Sequence, residues 1–115
     1  MVAQVILDTN FIITCVKQRI DFFHELRTMG FHIIIPKQVI QELEKLKRAL
    51  ELKVLEKNRG FFRMIRFKRG YVDKGMVEFG NEHPRAIIAT LDSALKKQLK
   101  NRIMVIRRMK TLEVV

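Results

Sequence analysis

The sequence predicts an α/β fold, a three-layer α/β/α sandwich on a mainly parallel sheet of about five strands, forming one domain over residues 1–115. Three observations carry this. Short aliphatic runs (VIL at 5–7, HIII at 32–35, AIIA at 86–89, IMVI at 103–106) alternate with stretches of helical periodicity. Most of these runs are apolar at successive positions, as strands covered on both faces are. With 115 residues, 48% of them hydrophobic, the chain can bury a core and is not disordered.

Taken in order, residues 3–7 (AQVIL) read as a first strand. Asp8 and Asn10 then interrupt an apolar run that Phe11, Ile12 and Ile13 resume at once. Residues 17–29 read as a helix with Ile20, Phe23 and Leu26 on its apolar side, stopped by Gly30 in the C′ position glycine favours. FHIIIP (31–36) is a second strand ended by Pro36. In the segment that follows, Val39, Leu43, Leu46, Leu50 and Val54 step by four and three, predicting one long helix. FFRMIRF (61–67) alternates enough to be a third strand with one wet face, at or near a sheet edge. A short helix at 73–82, a fourth strand at 86–90, a basic helix at 92–100 and a fifth strand at 103–106 complete the pattern. Repeats, low-complexity stretches and linkers are absent from the sequence.

The formal charge of +11 and pI near 10.3 point first to nucleic acid as a partner and only second to an anionic membrane. A membrane role is not expected, because no apolar run approaches the roughly 20 residues a span requires. Asp8 breaks the N-terminal apolar stretch and no basic segment precedes it, so no signal peptide is expected and the reading is cytoplasmic. Cys15, the single cysteine, reads as a small buried hydrophobe rather than a nucleophile. His24, His32 and His83 lack ligand spacing to one another.

Parallel α/β sheets bind ligands at the carboxyl ends of their strands. Asp8 directly follows the first strand and Asp92 the fourth. Glu42 lies at the margin of the buried stripe in the helix after the second, and Asp73 opens the helix before the fourth. Each has a plain alternative. Asp8 suits a turn, Asp73 an N-cap, Asp92 a helix N-terminus and Glu42 a solvated helix face. Their agreement is what selects a site. Two carboxylates about 5 Å apart repel by roughly 3 kcal/mol at an effective dielectric near 20. Such a cluster raises its own pKa values or holds a cation. Oxygen donors without a Cys/His set favour Mg²⁺ or Mn²⁺, and beside a basic surface such an ion suits phosphodiester hydrolysis.

VILDTN (5–10), the pattern P-x-x-V-x-x-E-L (36–43) and IIATLDSALKK (87–97), in that order, resemble the PIN domain family, in particular its compact archaeal and rRNA-processing branch. The resemblance spans about residues 3–107. It implies a fold related to the flap endonucleases and a Mg²⁺- or Mn²⁺-dependent endoribonuclease. Asp8, Glu42 and Asp92 would then be metal ligands, joined by Asp73, with Thr9 and Asn10 supporting the first by hydrogen bonds. Two positions depart from the family pattern. Lys74 follows Asp73 where a second Asp is common, and Ala94 stands where a further acid is common; both changes remove negative charge. An RNA-binding scaffold in ribosome assembly is therefore an alternative reading, and the toxin ribonuclease of a toxin–antitoxin pair, the other well-populated branch of the family, is another. Small domains of this type also often pair as homodimers.

Between Lys45 and Lys74 eleven Lys/Arg face three acids, and seven more basic residues follow Asp92 before Glu113. Arg59, Arg63, Arg66, Lys68 and Arg69, with Lys96 and Lys97, are the expected phosphate contacts for RNA. Phe61, Phe62 and Tyr71 lie close enough in sequence to stack on bases, although the two phenylalanines suit a core better.

Overall fold

The computed structural model describes residues 3–68, 70–108 and 110–115. Strand β1 (Gln4–Leu7) leads into helix α1 (Thr9–Lys17), so the apolar run resumed after Asp8 is a helix face: Phe11, Ile12 and Cys15 are all buried. Five of the nine residues of α1 are β-branched, a poor helical composition, so packing rather than propensity holds it. The helix ends at a corner where Arg19 takes a left-handed φ of 58°. The single helix expected over 17–29 is therefore the end of α1 and a separate α2 (Phe22–Thr28), capped by Asp21. Gly30 does occupy the left-handed stop after α2, with φ 85°.

Strand β2 (His32–Pro36) runs directly into α3 (Lys37–Lys45), in which Val39 and Leu43 are buried. The long helix expected next is broken. Lys47 is left-handed at φ 56°, and α4 (Ala49–Lys57) starts afresh. That kink resets the helical phase: Leu46 and Leu50 are 54% and 62% exposed, while Leu55 points inward. Glu51 is buried in α4 and is held by the Arg48 guanidinium at 2.9 Å. A short 3₁₀ turn (Arg59–Phe61) leads to β3 (Phe62–Ile65), and α5 (Val72–Glu82), β4 (Ile87–Ala89), α6 (Ser93–Gln98), β5 (Ile103–Arg107) and β6 (Thr111–Val114) follow.

The strands form one sheet in the order β3-β2-β1-β4-β5-β6, all parallel except β6, which returns antiparallel to β5. The sheet thus has six strands rather than about five. Leu112 faces the core and Glu113 solvent, the alternation of an antiparallel edge strand. β3 is the opposite edge, as its mixed composition predicts. Right-handed crossovers place α1 to α4 on one face of the sheet and α5 and α6 on the other. In agreement, α1 packs on α3 and α4, and α5 packs on α6. Gly75 of α5 lies flat against the Phe67 ring, where a side-chain carbon would overlap it. Among the described residues no helix is long and apolar enough to cross a membrane.

β1 and β4 are neighbours, but the chain leaves β1 toward β2 and leaves β4 toward β5. The crevice between their carboxyl ends is the topological switch point, where ligands of open parallel sheets bind.

Candidate functional site

Each of the first four strands sends one acid to that end of the sheet. Asp8 follows β1 and caps α1. Glu42 sits on α3 after β2, Asp73 on the first turn of α5 after β3, and Asp92 caps α6 after β4. The register of β1 against β4 pairs Leu7 with Ala89 and so brings Asp8 beside Thr90. Asp8 donates its backbone N–H to the Ala89 carbonyl at 2.9 Å.

Only 4% of Asp8 is exposed, and both carboxylate oxygens are engaged. Oδ1 accepts the Thr9 N–H at 2.8 Å and Oδ2 accepts the Thr90 hydroxyl at 2.7 Å. The Thr90 oxygen in turn accepts the Asp92 N–H at 3.2 Å. One fully buried hydroxyl therefore joins the two strand-end acids: it donates to the side chain of one and accepts from the backbone of the other. Asp92 uses Oδ1 for the Ala94 and Leu95 amides, at 2.9 and 3.2 Å, leaving Oδ2 without a hydrogen bond among the described residues.

Burial pushes the Asp8 carboxyl above its ordinary range; the Thr90 and Thr9 bonds oppose this, and the charges of Asp73 and Glu42 add to it. Asp73 is also pushed up, first by desolvation and then by Asp92 and Glu42. The four acids thus act on one another electrostatically. Among the described residues, however, no three acidic, His or Cys side chains are gathered closely enough to hold an ion as they stand. An all-oxygen set with excess negative charge and a buried carboxyl driven toward protonation has the donor chemistry of a hard divalent cation.

The other sequence-predicted residues separate. Thr9 serves Asp8 through its backbone, and its hydroxyl is buried without a hydrogen-bond partner among the described residues. Asn10 is exposed, with no bond to Asp8 among the described residues; the side-chain support comes from Thr90 instead. Thr90 was visible only through strand pairing: once IIAT is laid beside VILD, residues 90 and 8 are neighbours. Lys74 places its ammonium 5.8 Å from the centre of the Tyr71 ring. Arg66 and Lys68, both exposed, follow the carboxyl end of β3, which is the end of the sheet that carries the acids. Arg59 precedes β3 and Arg63 lies within it, while Lys96 and Lys97 lie on α6. Arg69 lies outside the described residues. Phe61 is 45% exposed and Phe62 half-buried, so only the second contributes to the core.

Among the described residues, neither Cys15 nor His83 is placed to act at the acids. Cys15 is fully buried, and burial pushes its thiol up to about 12. His83 stacks on Phe79 with ring centres 4.4 Å apart, on the last turn of α5 away from Asp73. A cavity of about 550 Å³ lies at the opposite end of the sheet, lined by Gln4, Arg27, His32, Phe61 and Arg63 among others, and holds no carboxylate.

A family model described as a PIN like domain matches residues 5–110. Ribonuclease VapC4 of Methanocaldococcus jannaschii is 29% identical over 96% of this chain and 95% of its own length. The rRNA-processing protein fcf1 of Schizosaccharomyces pombe is 35% identical over 84% of this chain, which spans about half (53%) of that protein. Among solved structures, the PIN domain endonuclease Utp24 superposes with a TM-score of 0.83 at 30% identity, covering 96% of this chain and 90% of that one. VapBC2 of Rickettsia felis shares the fold at a TM-score of 0.58 and 13% identity, covering 89% of this chain and 98% of its own.

Proposed function

We infer, since the chain belongs to the PIN-like domain family, that it is a divalent-metal-dependent endoribonuclease that hydrolyses RNA phosphodiester bonds, with rRNA processing as its setting. The observation that carries this is the electrostatic coupling of Asp8, Glu42, Asp73 and Asp92 at the carboxyl end of the sheet, where Asp8 and Asp73 are both driven toward protonation by burial and by their neighbours. Those four residues would hold the ion. A bound Mg²⁺ or Mn²⁺ supplies neutralisation of the acids, activation of water at neutral pH and charge stabilisation at the phosphate.

The chain's own groups do the rest. Thr9 N–H and the Thr90 hydroxyl fix both oxygens of Asp8, so the carboxylate is oriented before anything binds. Asp92 Oδ2, which makes no hydrogen bond among the described residues, and the less buried Asp73 and Glu42 would supply the adjustable donors. Arg66 and Lys68, with Lys96 and Lys97 beside Asp92 on α6, are the phosphate contacts nearest the acids in the fold, and their binding weakens with salt. Lys74 and Ala94 leave the site with fewer acids than the family pattern, consistent with a lean site.

The likeness to the rRNA-processing protein fcf1 supports the processing role, and the likeness to the endonuclease Utp24 supports the cleavage. Ribonuclease VapC4, matched over nearly its whole length, supports the ribonuclease activity, and a toxin ribonuclease with an antitoxin partner is the second reading. Purified protein would be incubated with end-labelled structured and single-stranded RNA in Mn²⁺, Mg²⁺ or EDTA, alongside Asp8→Asn. Metal-dependent cleavage that is lost in Asp8→Asn is expected. Salt-sensitive binding with no cleavage by either protein would overturn the nuclease reading in favour of an RNA-binding scaffold in ribosome assembly. Growth arrest on expression of the active protein but not of Asp8→Asn would favour the toxin.

A further inference from the structure

The outer edge of β3 is open: among the described residues the strand pairs only with β2, so half of its backbone N–H and C=O groups point away from the sheet. The edge is longer than the strand itself. Beyond Ile65, the Gln38 side-chain amide takes the place of a neighbouring strand. It accepts the Phe67 N–H and donates to the Phe67 carbonyl, each at 3.0 Å. Phe67 is anchored in turn against Gly75. The open edge therefore runs from Phe62 to Phe67, about 20 Å at 3.3 Å per residue.

Grooves flank this edge on both faces of the sheet. On the side of α3 and α4, a cavity of about 330 Å³ is lined by Ile40, Leu52, Leu55, Phe62 and Met64, with Glu44, Glu56 and Arg59 also present. Met64 is 43% exposed there. On the side of α5, a cavity of about 220 Å³ has Arg63, Arg66 and Lys68 from the strand segment, Glu78 and Glu82 from the helix, and an apolar floor that includes Phe67 and Phe79. An added strand places alternate side chains on alternate faces. One set would enter the apolar groove and the other would meet the basic one.

The positive charge lies on the edge segment itself: residues 57–72 contain six Lys/Arg and no Asp/Glu, while Glu44, Glu56, Glu78 and Glu82 stand on the helices across the grooves. Two copies of this edge pairing with each other would set like charges opposite, which is unfavourable and is a common device against self-association. The same charge favours an acidic strand. RNA would use the basic groove but not the apolar one or the backbone ladder, and Phe61 at the lower end of the edge already has the Arg27 guanidinium over its ring, 3.7 Å from the centre.

We propose that the edge of β3 is a docking site for an extended acidic segment of a partner protein, added as a seventh strand. Its apolar side chains lie in the groove against α3 and α4, and its acidic ones lie toward Arg63, Arg66 and Lys68. The site contains none of the four acids, shares Arg66 and Lys68 with the basic flank proposed for RNA, and does not depend on nuclease activity.

The test uses a terminally blocked eight-residue peptide of alternating valine and glutamate, titrated into ¹⁵N-labelled protein in EDTA. A peptide of the same composition with the valines and glutamates in separate blocks serves as comparison. The alternating peptide should shift the amide signals of residues 62–67 and give cross-strand contacts to them, and the blocked-order peptide should bind at least tenfold more weakly. Met64→Glu and Arg63→Glu, both at exposed positions, should each weaken binding at least tenfold, while Thr111→Glu on the far edge should leave it unchanged. Absence of shifts at millimolar peptide would overturn the proposal. So would equal binding of both peptides, or an RNA oligomer that shifts these amides where the peptide does not, which would assign the edge to nucleic acid.

Discussion

Replacing Thr90 with Val removes one oxygen and almost no volume, yet that oxygen carries two bonds at the centre of the site. Its hydroxyl is fully buried and donates to Asp8 Oδ2 at 2.7 Å, a bond to a carboxylate that is worth about 1.5–3 kcal/mol. Its oxygen also accepts the half-buried Asp92 N–H at 3.2 Å, and stranding that donor costs about 1 kcal/mol. Thr90→Val should therefore lose about 2–4 kcal/mol at neutral pH. With an unfolding entropy of about 2.1 cal/mol/K per residue, a chain of this size loses about 4 °C in Tm per kcal/mol, or roughly 8–16 °C in all. The larger part of the loss comes from a bond to the ionised carboxyl, so it is present above the folded-state pKa of Asp8 and fades once Asp8 is protonated. Urea unfolding followed by circular dichroism at pH 7.5 and pH 4, with Thr90→Ser as the hydroxyl-retaining control, measures this. A loss under 0.5 kcal/mol, or one equal at both pH values, would refute the idea that Thr90 holds an ionised Asp8.

Asp8→Asn should abolish cleavage yet raise stability at pH 7 by about 1 kcal/mol, as removal of a functional-site charge commonly does. The folded-state pKa of Asp8 lies above its ordinary 3.8, so its contribution is fully present below 3.8 and is lost as pH rises through the folded value. The gain should consequently vanish near pH 3.5, and a destabilised Asp8→Asn protein at pH 7 in EDTA would contradict the cause assigned to the shift. Gly75→Ala sets a methyl group into the Phe67 ring and should lower stability by about 1–3 kcal/mol, read as a Tm drop. Cys15, with its thiol pushed up to about 12, is ionised to about one part in ten thousand at pH 8. It should resist a thiol reagent in the native protein and react fully in 6 M guanidinium; rapid native labelling would mean α1 opens locally.

The acids at the strand ends were legible because parallel-sheet topology converts a position in sequence into a position in space. A carboxylate just after an apolar β-branched run has one place to go, and the rule holds whether or not the helices are drawn correctly. The helices were less legible because their breaks are backbone events. Arg19 and Lys47 turn left-handed at residues that carry no glycine or proline signal, so a stripe such as Val39, Leu43, Leu46, Leu50 reads as continuous although its second half faces solvent. α1 was hidden for the opposite reason: its β-branched residues suggest a strand, and packing overrides them. β6 is short and follows a basic segment, so the alternation of Leu112 and Glu113 is a weak signal in the sequence.

Thr90 shows why the site itself was harder to read than its acids. A threonine ending a β-rich run has no chemical signature, and its importance arises only because Leu7 and Ala89 are paired and the next residue on each strand must then meet. The consequence bears on the two departures from the family pattern. Lys74 and Ala94 each remove a negative charge, but the Thr9–Asp8–Thr90 bonds that orient the Asp8 carboxylate involve neither, and Ala94 meets Asp92 through its backbone N–H, which a residue of any side chain there would also offer. What the sequence lost is peripheral charge, and what the fold keeps is the oriented pair at the switch point. On the proposed nuclease reading, an ion would be held mainly by that pair, and with fewer acids beside it the basic flank would remain available to RNA.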